Sequence, residues 1–242
     1  MNTNAHQIVV SGVTVQVVRK PIKNLHLGVY PPHGRVRVAA PLRVSDDAVR
    51  LAVVGKLGWI KRQRGRFEAQ PRQSAREVVS GESHYVFGRR YRLRVVYAPG
   101  PAKVFLVGKA TMELRVAQDA STEQRLLLLQ NWYRQQLRER IKPLLEKWQK
   151  VLGVQLDGCG IKRMKTKWGS CNPEARRIWL NLELAKKPVQ CLEYLIVHEL
   201  AHLIERHHND RFTALMDEHL PDWKARRALL NAQPLAHDTW GY

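Results

Sequence analysis

The most constraining stretch of the chain is His198-Glu199-Leu200-Ala201-His202, set between the apolar runs Tyr194-Leu195-Ile196-Val197 and Leu203-Ile204. Apolar residues on both sides read as a helix. Residues four apart on a helix share a face and lie about 6 Å from each other, so both imidazoles can reach one ion while Glu199 projects beside them.

The residue types fit one chemistry. Neutral imidazoles suit a borderline-soft cation, zinc first, and three protein ligands leave a fourth position for water. Bound metal lowers the pKa of that water from ~15.7 to about 7, and Glu199 is then placed as the general base. This is the HExxH pattern of zinc hydrolases. Past the helix, Glu205-Arg206-His207-His208-Asn209-Asp210 is polar and turn-prone, and His208 follows His202 by six residues. Metzincins use that offset, with Gly three residues after the second His; Glu205 stands there instead. Glu205 lies ~10.5 Å along the axis from His198, too far to share an ion unless the helix breaks early. His208 is the expected third ligand and His207 the fallback.

The chain's 242 residues allow one or two domains. The longest apolar run, Leu126 to Leu129, is far short of the roughly 18 residues of a membrane span. Met1 to His6 carries neither a basic region nor an apolar signal core, so a cytoplasmic protein with no membrane partner is expected. Cys159, Cys171 and Cys191 are odd in number and lack CxxC spacing, which argues for reduced thiols. The formal net charge is +20. Residues 1–120 hold 21 Lys and Arg against 7 acids and residues 121–242 hold 20 against 14, so the excess lies away from the histidines. Either the basic surface is simply solvated or it meets a polyanion such as nucleic acid.

Short alternating runs predict strands at Ile8-Val10, Val13-Val18, Leu25-Tyr30 and Arg35-Val38. Ser45 then caps a helix with Val49, Ala52, Val53, Leu57 and Ile60 inside and a basic tail from Lys61 to Arg66. Trp59 on that helix is expected in the core. Strands return at His84-Phe87, Tyr91-Tyr97, Val104-Val107 and Met112-Val116. Arg90, Arg92 and Arg94 fall two apart, share one sheet face and form the best candidate for nucleic-acid docking. Ser121 and Gln124 have the spacing of a capping box opening a long helix, which Pro143 is expected to kink. A boundary near residue 120 is expected, between a basic, β-rich region (1–120) and a metal-binding domain (121–242). No internal repeat is legible.

Ile161-Lys165 and Ile178-Leu182 read as paired strands around a turn at Trp168-Pro173, and Pro188 pre-sets the first turn of the histidine helix. The segment Met164 to Cys171 with Trp168-Gly169-Ser170-Cys171, then Leu180-Asn181, then HELAH and His208 with Phe212, closely resembles the YgjP-like family of metal-dependent hydrolases, relatives of the SprT-like metallopeptidases. The resemblance covers nearly the whole chain. It implies an α+β fold whose second half is zincin-like, with a β-hairpin and an HExxH active-site helix, His198, His202 and His208 as ligands and Glu199 as base.

The expected activity is that of a zinc-dependent metallopeptidase acting on a peptide or protein. Lys165 and Lys167, two apart, are candidate substrate-binding residues, as is Tyr194, one turn before His198. Cys171 is expected to pack. Two other readings stand beside this one: a nucleotide phosphohydrolase using the same metal site, and a non-enzymatic nucleic-acid-binding module with a structural metal.

Overall fold

The computed structural model describes residues 5–30, 34–69, 77–164 and 167–232, with no side-chain description at 66–69. Two compact units divide between residues 72 and 73.

In the first unit, β1 (Ala5–Val10), β2 (Val13–Lys20), β3 (His26–Tyr30) and β4 (Arg35–Pro41) form a sheet in the order β1-β2-β4-β3. The central β2–β4 pair is parallel and the outer pairs are antiparallel. Alternation puts Ile8, Val10, Val13, Val15, Val17, Val36 and Val38 on one buried face. Val49 and Val53 of α1 (Asp46–Val54) and Ile60 of α2 (Leu57–Ala69) join that core. The single helix expected here is two: Gly55, a poor helix former, closes α1 with its N–H on Leu51 O at 3.0 Å. The Ser45 hydroxyl caps α1 by accepting from Ala48 N at 3.2 Å, and Trp59 packs against the core.

The second unit opens with the same plan. β5 (Ser83–Val86), β6 (Arg89–Tyr97), β7 (Lys103–Val107) and β8 (Thr111–Val116) run in the order β5-β6-β8-β7 with β6 and β8 parallel. The first hairpin in each sheet closes on two residues of positive φ, Ser11 (47°) with Gly12 (76°) and Phe87 (46°) with Gly88 (84°). That is the turn whose twist matches paired strands. The repeat is one of topology, carried by no repeated sequence.

α3 (Thr122–Leu152) begins with the full Ser121–Gln124 capping box and continues as helix through Pro143. Its buried Leu129, Tyr133, Leu137, Ile141 and Trp148 share one core with Tyr91, Leu93, Met112 and Leu114 of the sheet and with the later helices. This differs from the expected boundary near residue 120. A sheet that shares its core with α3 belongs to the same unit, and charge asymmetry along a chain reports surface, not packing.

β9 (Gly158–Lys162), β10 (Gly169–Asn172) and β11 (Arg177–Asn181) form a third sheet in the order β10-β11-β9. The expected hairpin between 161–165 and 178–182 is corrected here. β9 pairs with β11 in parallel, and β10, in the stretch expected as a turn, is its antiparallel partner. The turn sits further on, where Asn172 Oδ1 accepts from Ala175 N at 3.2 Å and Arg176 takes a φ of 43°. Asn and Pro173 supply turn chemistry there. A short 3-10 helix, Leu182–Lys186, leads to α4 (Val189–Ala201), α5 (Asp210–His219) and α6 (Trp223–Ala232). Among the described residues, no helix is long and apolar enough to cross a membrane.

Candidate active site

α4 is buried on nearly every side, from Cys191 and Leu192 through Leu200 and Ala201, as a helix at the centre of a core should be. Its start is held by the β5–β6 turn. Phe87 N and Gly88 N donate to Ala185 O (2.8 Å) and Lys186 O (3.3 Å), just ahead of Pro188. A side chain on Gly88 would come within 2.9 Å of the Pro188 ring. Further along, Glu193 clamps α4 to two other helices: its carboxylate accepts from Lys147 Nζ (2.9 Å) and Trp148 Nε1 (3.0 Å) on α3 and from Arg226 Nη1 (2.7 Å) on α6. Burial works to raise the Glu193 pKa, and these donors outweigh it, leaving the group below its ordinary value.

The helix ends at Ala201, with His202 as its C-cap. Leu203 N and Ile204 N turn back onto Leu200 O and Ala201 O, so the chain leaves the axis at once and His208 returns to the helix end. One nitrogen from each of His198, His202 and His208 lies within 4.8 Å of the others. His207, the fallback ligand, is 80% exposed and lies beside Glu205 instead. Glu205 Oε1 accepts from His207 N at 3.0 Å and so shapes the turn. Asn209 caps α5 by accepting from Phe212 N at 3.0 Å. That places the buried Phe212 ring beneath the trio, 4.7–5.0 Å from each imidazole centroid.

The donor set fits a divalent metal. His202 Nδ1 lies 3.1 Å from Glu205 O, a carbonyl that can only accept, so Nδ1 carries the proton and Nε2 keeps the lone pair. His198 Nε2 and His208 Nε2 face each other at 3.1 Å. Burial, then the neighbouring His202 and His208, push His198 down to about 3, and burial also lowers His208. Both shifts favour the neutral imidazole, the form that ligates metal. Tyr194 is buried, with its hydroxyl 3.5 Å from His198 Nδ1 and its ring stacked on Trp223 at 6.4 Å.

Glu199 is 4% exposed, and burial pushes its carboxyl up to about 7 against the pull of Lys167. Its carboxylate lies against β10: a Cβ on Gly169 would sit 2.5 Å from Glu199 Oε1. Asn181 fixes the loop ahead of β10, donating through Nδ2 to Met164 O and Lys167 O, both at 2.8 Å. Lys167 is exposed beside Glu199, while Lys165 lies outside the described residues. Cys171 stands apart from the histidine trio; its thiol is half-buried against the core and is pushed up to about 11 by burial and then by Glu199. Arg90, Arg92 and Arg94 are exposed on β6. Gly169, Asn181, Glu193 and Trp223 were not assigned these roles from sequence, and a glycine opening the strand next to an HExxH helix is the one signal that could have pointed to the first.

Three imidazole nitrogens around one point, with a buried carboxylate one residue along the same helix, define a metal-dependent hydrolase. The YgjP-like metallopeptidase domain model matches residues 23–233, and the chain belongs to that family. No curated protein matches. Among solved structures the chain is similar to the metallopeptidase zymogen abylysin of Pyrococcus abyssi, at 22% identity and a TM-score of 0.36, over 40% of this chain and 99% of that one.

Proposed function

We propose that this chain is a zinc-dependent peptidase in which His198, His202 and His208 hold the metal and Glu199 is the general base. The observation that carries the reading is the convergence of the three imidazoles beside Glu199, which follows His198 on α4 and rests its buried carboxylate against the first residue of β10. When bound, zinc would act as a Lewis acid on water and on the substrate carbonyl. Glu199, whose carboxyl burial pushes up to about 7, takes the proton of the attacking water and returns it to the leaving amine. Tyr194 orients His198 through Nδ1, as partners of a ligating imidazole do. β10 is an edge strand with no second partner among the described residues. An extended peptide can pair along it, which brings a scissile bond past Glu199. The protein works in the cytoplasm with its thiols reduced, and basic residues among its first 120, with Arg90, Arg92 and Arg94 foremost, dock it on nucleic acid.

The test is hydrolysis by the zinc-loaded protein of unfolded proteins and, separately, of nucleoside triphosphates, with Glu199→Gln beside it. Peptide cleavage lost in the variant is expected. Phosphate release lost in the variant, without peptide cleavage, would transfer the site to nucleotide chemistry, and Glu199→Gln without effect on any activity would leave a structural metal.

A further inference from the structure

One face of the β5–β8 sheet packs into the core with α3, and the other carries charge. Along β6, Arg90, Arg92 and Arg94 alternate with the buried Tyr91 and with Leu93. The register sets Tyr85 beside Arg90, Glu113 beside Arg94, and Phe105 and Lys103 of β7 beside Glu113 and Arg115. That face thus holds Arg90, Arg92, Arg94, Arg115 and Lys103 against one carboxylate. Glu113 is only 2% exposed, bonded by Arg115 Nε at 2.6 Å and by Arg94. First Arg115 and then Arg94 hold it below the usual carboxylate range. An ionised Glu113 therefore fixes two guanidiniums in place while leaving them 57% and 53% exposed for a ligand. Two rings share the face: Tyr85 is 40% exposed, and Phe105 carries the Arg115 guanidinium 5.0 Å from its centroid.

We propose that this sheet face is a platform for single-stranded nucleic acid, which deepens the docking part of the function above and rests on it. Alternate residues on a strand stand ~7 Å apart, comparable with successive phosphates along one nucleic-acid strand, so Arg90, Arg92 and Arg94 track a backbone. Tyr85 beside that row, 40% exposed, offers an aromatic ring on which an unpaired base stacks whatever its identity. A duplex has no unstacked base to offer, and a shallow sheet presents no helix or ribbon to enter its major groove. An acidic protein segment would match the charge and leave the rings unused.

The experiment is fluorescence anisotropy of the full-length chain with a labelled thymidine oligonucleotide, with its duplex, and with polyglutamate as competitor. The single strand binds more tightly than the duplex, and its affinity falls steeply with salt. Reversing Arg90 and Arg92 together to Glu flattens the log–log salt slope by about 1.4, the share of two phosphates on a single strand. Tyr85→Ala weakens single-strand binding about tenfold, the effect of one lost stack. The same reversal at Arg138 and Lys142, exposed on α3, leaves the slope unchanged. No binding at low salt, equal or tighter binding of the duplex, a silent Tyr85→Ala, an equal effect of the α3 control, or preferential displacement by polyglutamate each overturns the proposal. Glu199→Gln, measured alongside, keeps full nucleic-acid affinity while cleavage is lost. Binding by a chain that cleaves nothing would refute the peptidase reading and leave this one standing.

Discussion

Gly169→Ala is the sharpest test of where Glu199 must stand. Gly169 is paired with Leu180 in extended β10, and an extended backbone accepts alanine readily. The new methyl would lie 2.5 Å from Glu199 Oε1, 3.0 Å from Cδ and 3.1 Å from Cγ. Ordinary carbon contacts begin near ~3.5 Å, so the carboxylate must retreat by roughly 1 Å from the strand where a substrate would pair. A displacement of about 1 Å at a catalytic group costs on the order of 100-fold, and loss of the base altogether on the order of 10² to 10⁴. Gly169→Ala should therefore lower kcat by about 100-fold. Zinc affinity should hold, because the three atoms nearest the methyl all belong to Glu199 and none to a histidine. Peptide cleavage under saturating substrate, with zinc content measured on the same sample and Tm by calorimetry, separates the possibilities. Full kcat in Gly169→Ala, or a loss explained by missing zinc, would refute the placement of Glu199 as the base.

Other substitutions probe the ligands, the electrostatics and the frame. His208→Ala should lower zinc affinity by orders of magnitude while His207→Ala leaves it near wild type, read by competition with a chromogenic chelator; the reverse result would exchange their roles. Lys167 partly offsets the burial that raises Glu199. Glu199 must be ionised to accept a proton, so activity falls on the acid side, and Lys167→Ala should move the acid limb of kcat/KM to higher pH; an unmoved or lowered limb would remove Lys167 from the site's field. Glu193→Gln should lower stability by about 2 kcal/mol, because Arg226 and Lys147 lose a charged acceptor, measured by urea unfolding at pH 7. The Glu193 pKa is lowered on folding, so its contribution is full above the unfolded value near ~4.3 and fades as pH falls through the folded value. The gap between wild type and Glu193→Gln should narrow in acid, and a constant gap would show that packing, not charge, is lost.

Local signals were the legible ones. The capping box at Ser121, the positions of the first eight strands and the apolar run around HELAH rest on residues a few places apart, and the structure places elements there. Spacing also favoured His208 over His207, and the helix end at His202 brings His208 beside the other two. What could not be read depends on which elements meet in the folded chain. Gly169 to Asn172 carries turn-forming residues and still forms β10, because Arg177 to Leu180 supply its ladder. Sequence distance hid the role of Trp223, whose ring reaches Tyr194 from a helix nearly thirty residues on. Charge counting placed a boundary near residue 120 because it weighs surfaces, while the division near residue 72 follows the cores.

The repeated sheet plan bears on the order in which the chain becomes structured. In both copies the parallel pair joins strands about twenty residues apart, Val15 with Val36 and Arg92 with Thr111, so each sheet closes through short-range contacts that form quickly. Among the described residues, the core of the first sheet draws on nothing beyond α2, and a chain emerging from the ribosome can bury it early. The histidine trio is different, since His198 is braced by Tyr194 against Trp223, close to the end of the described chain. A nascent chain built this way can close its first sheet well before the brace behind His198 is in place.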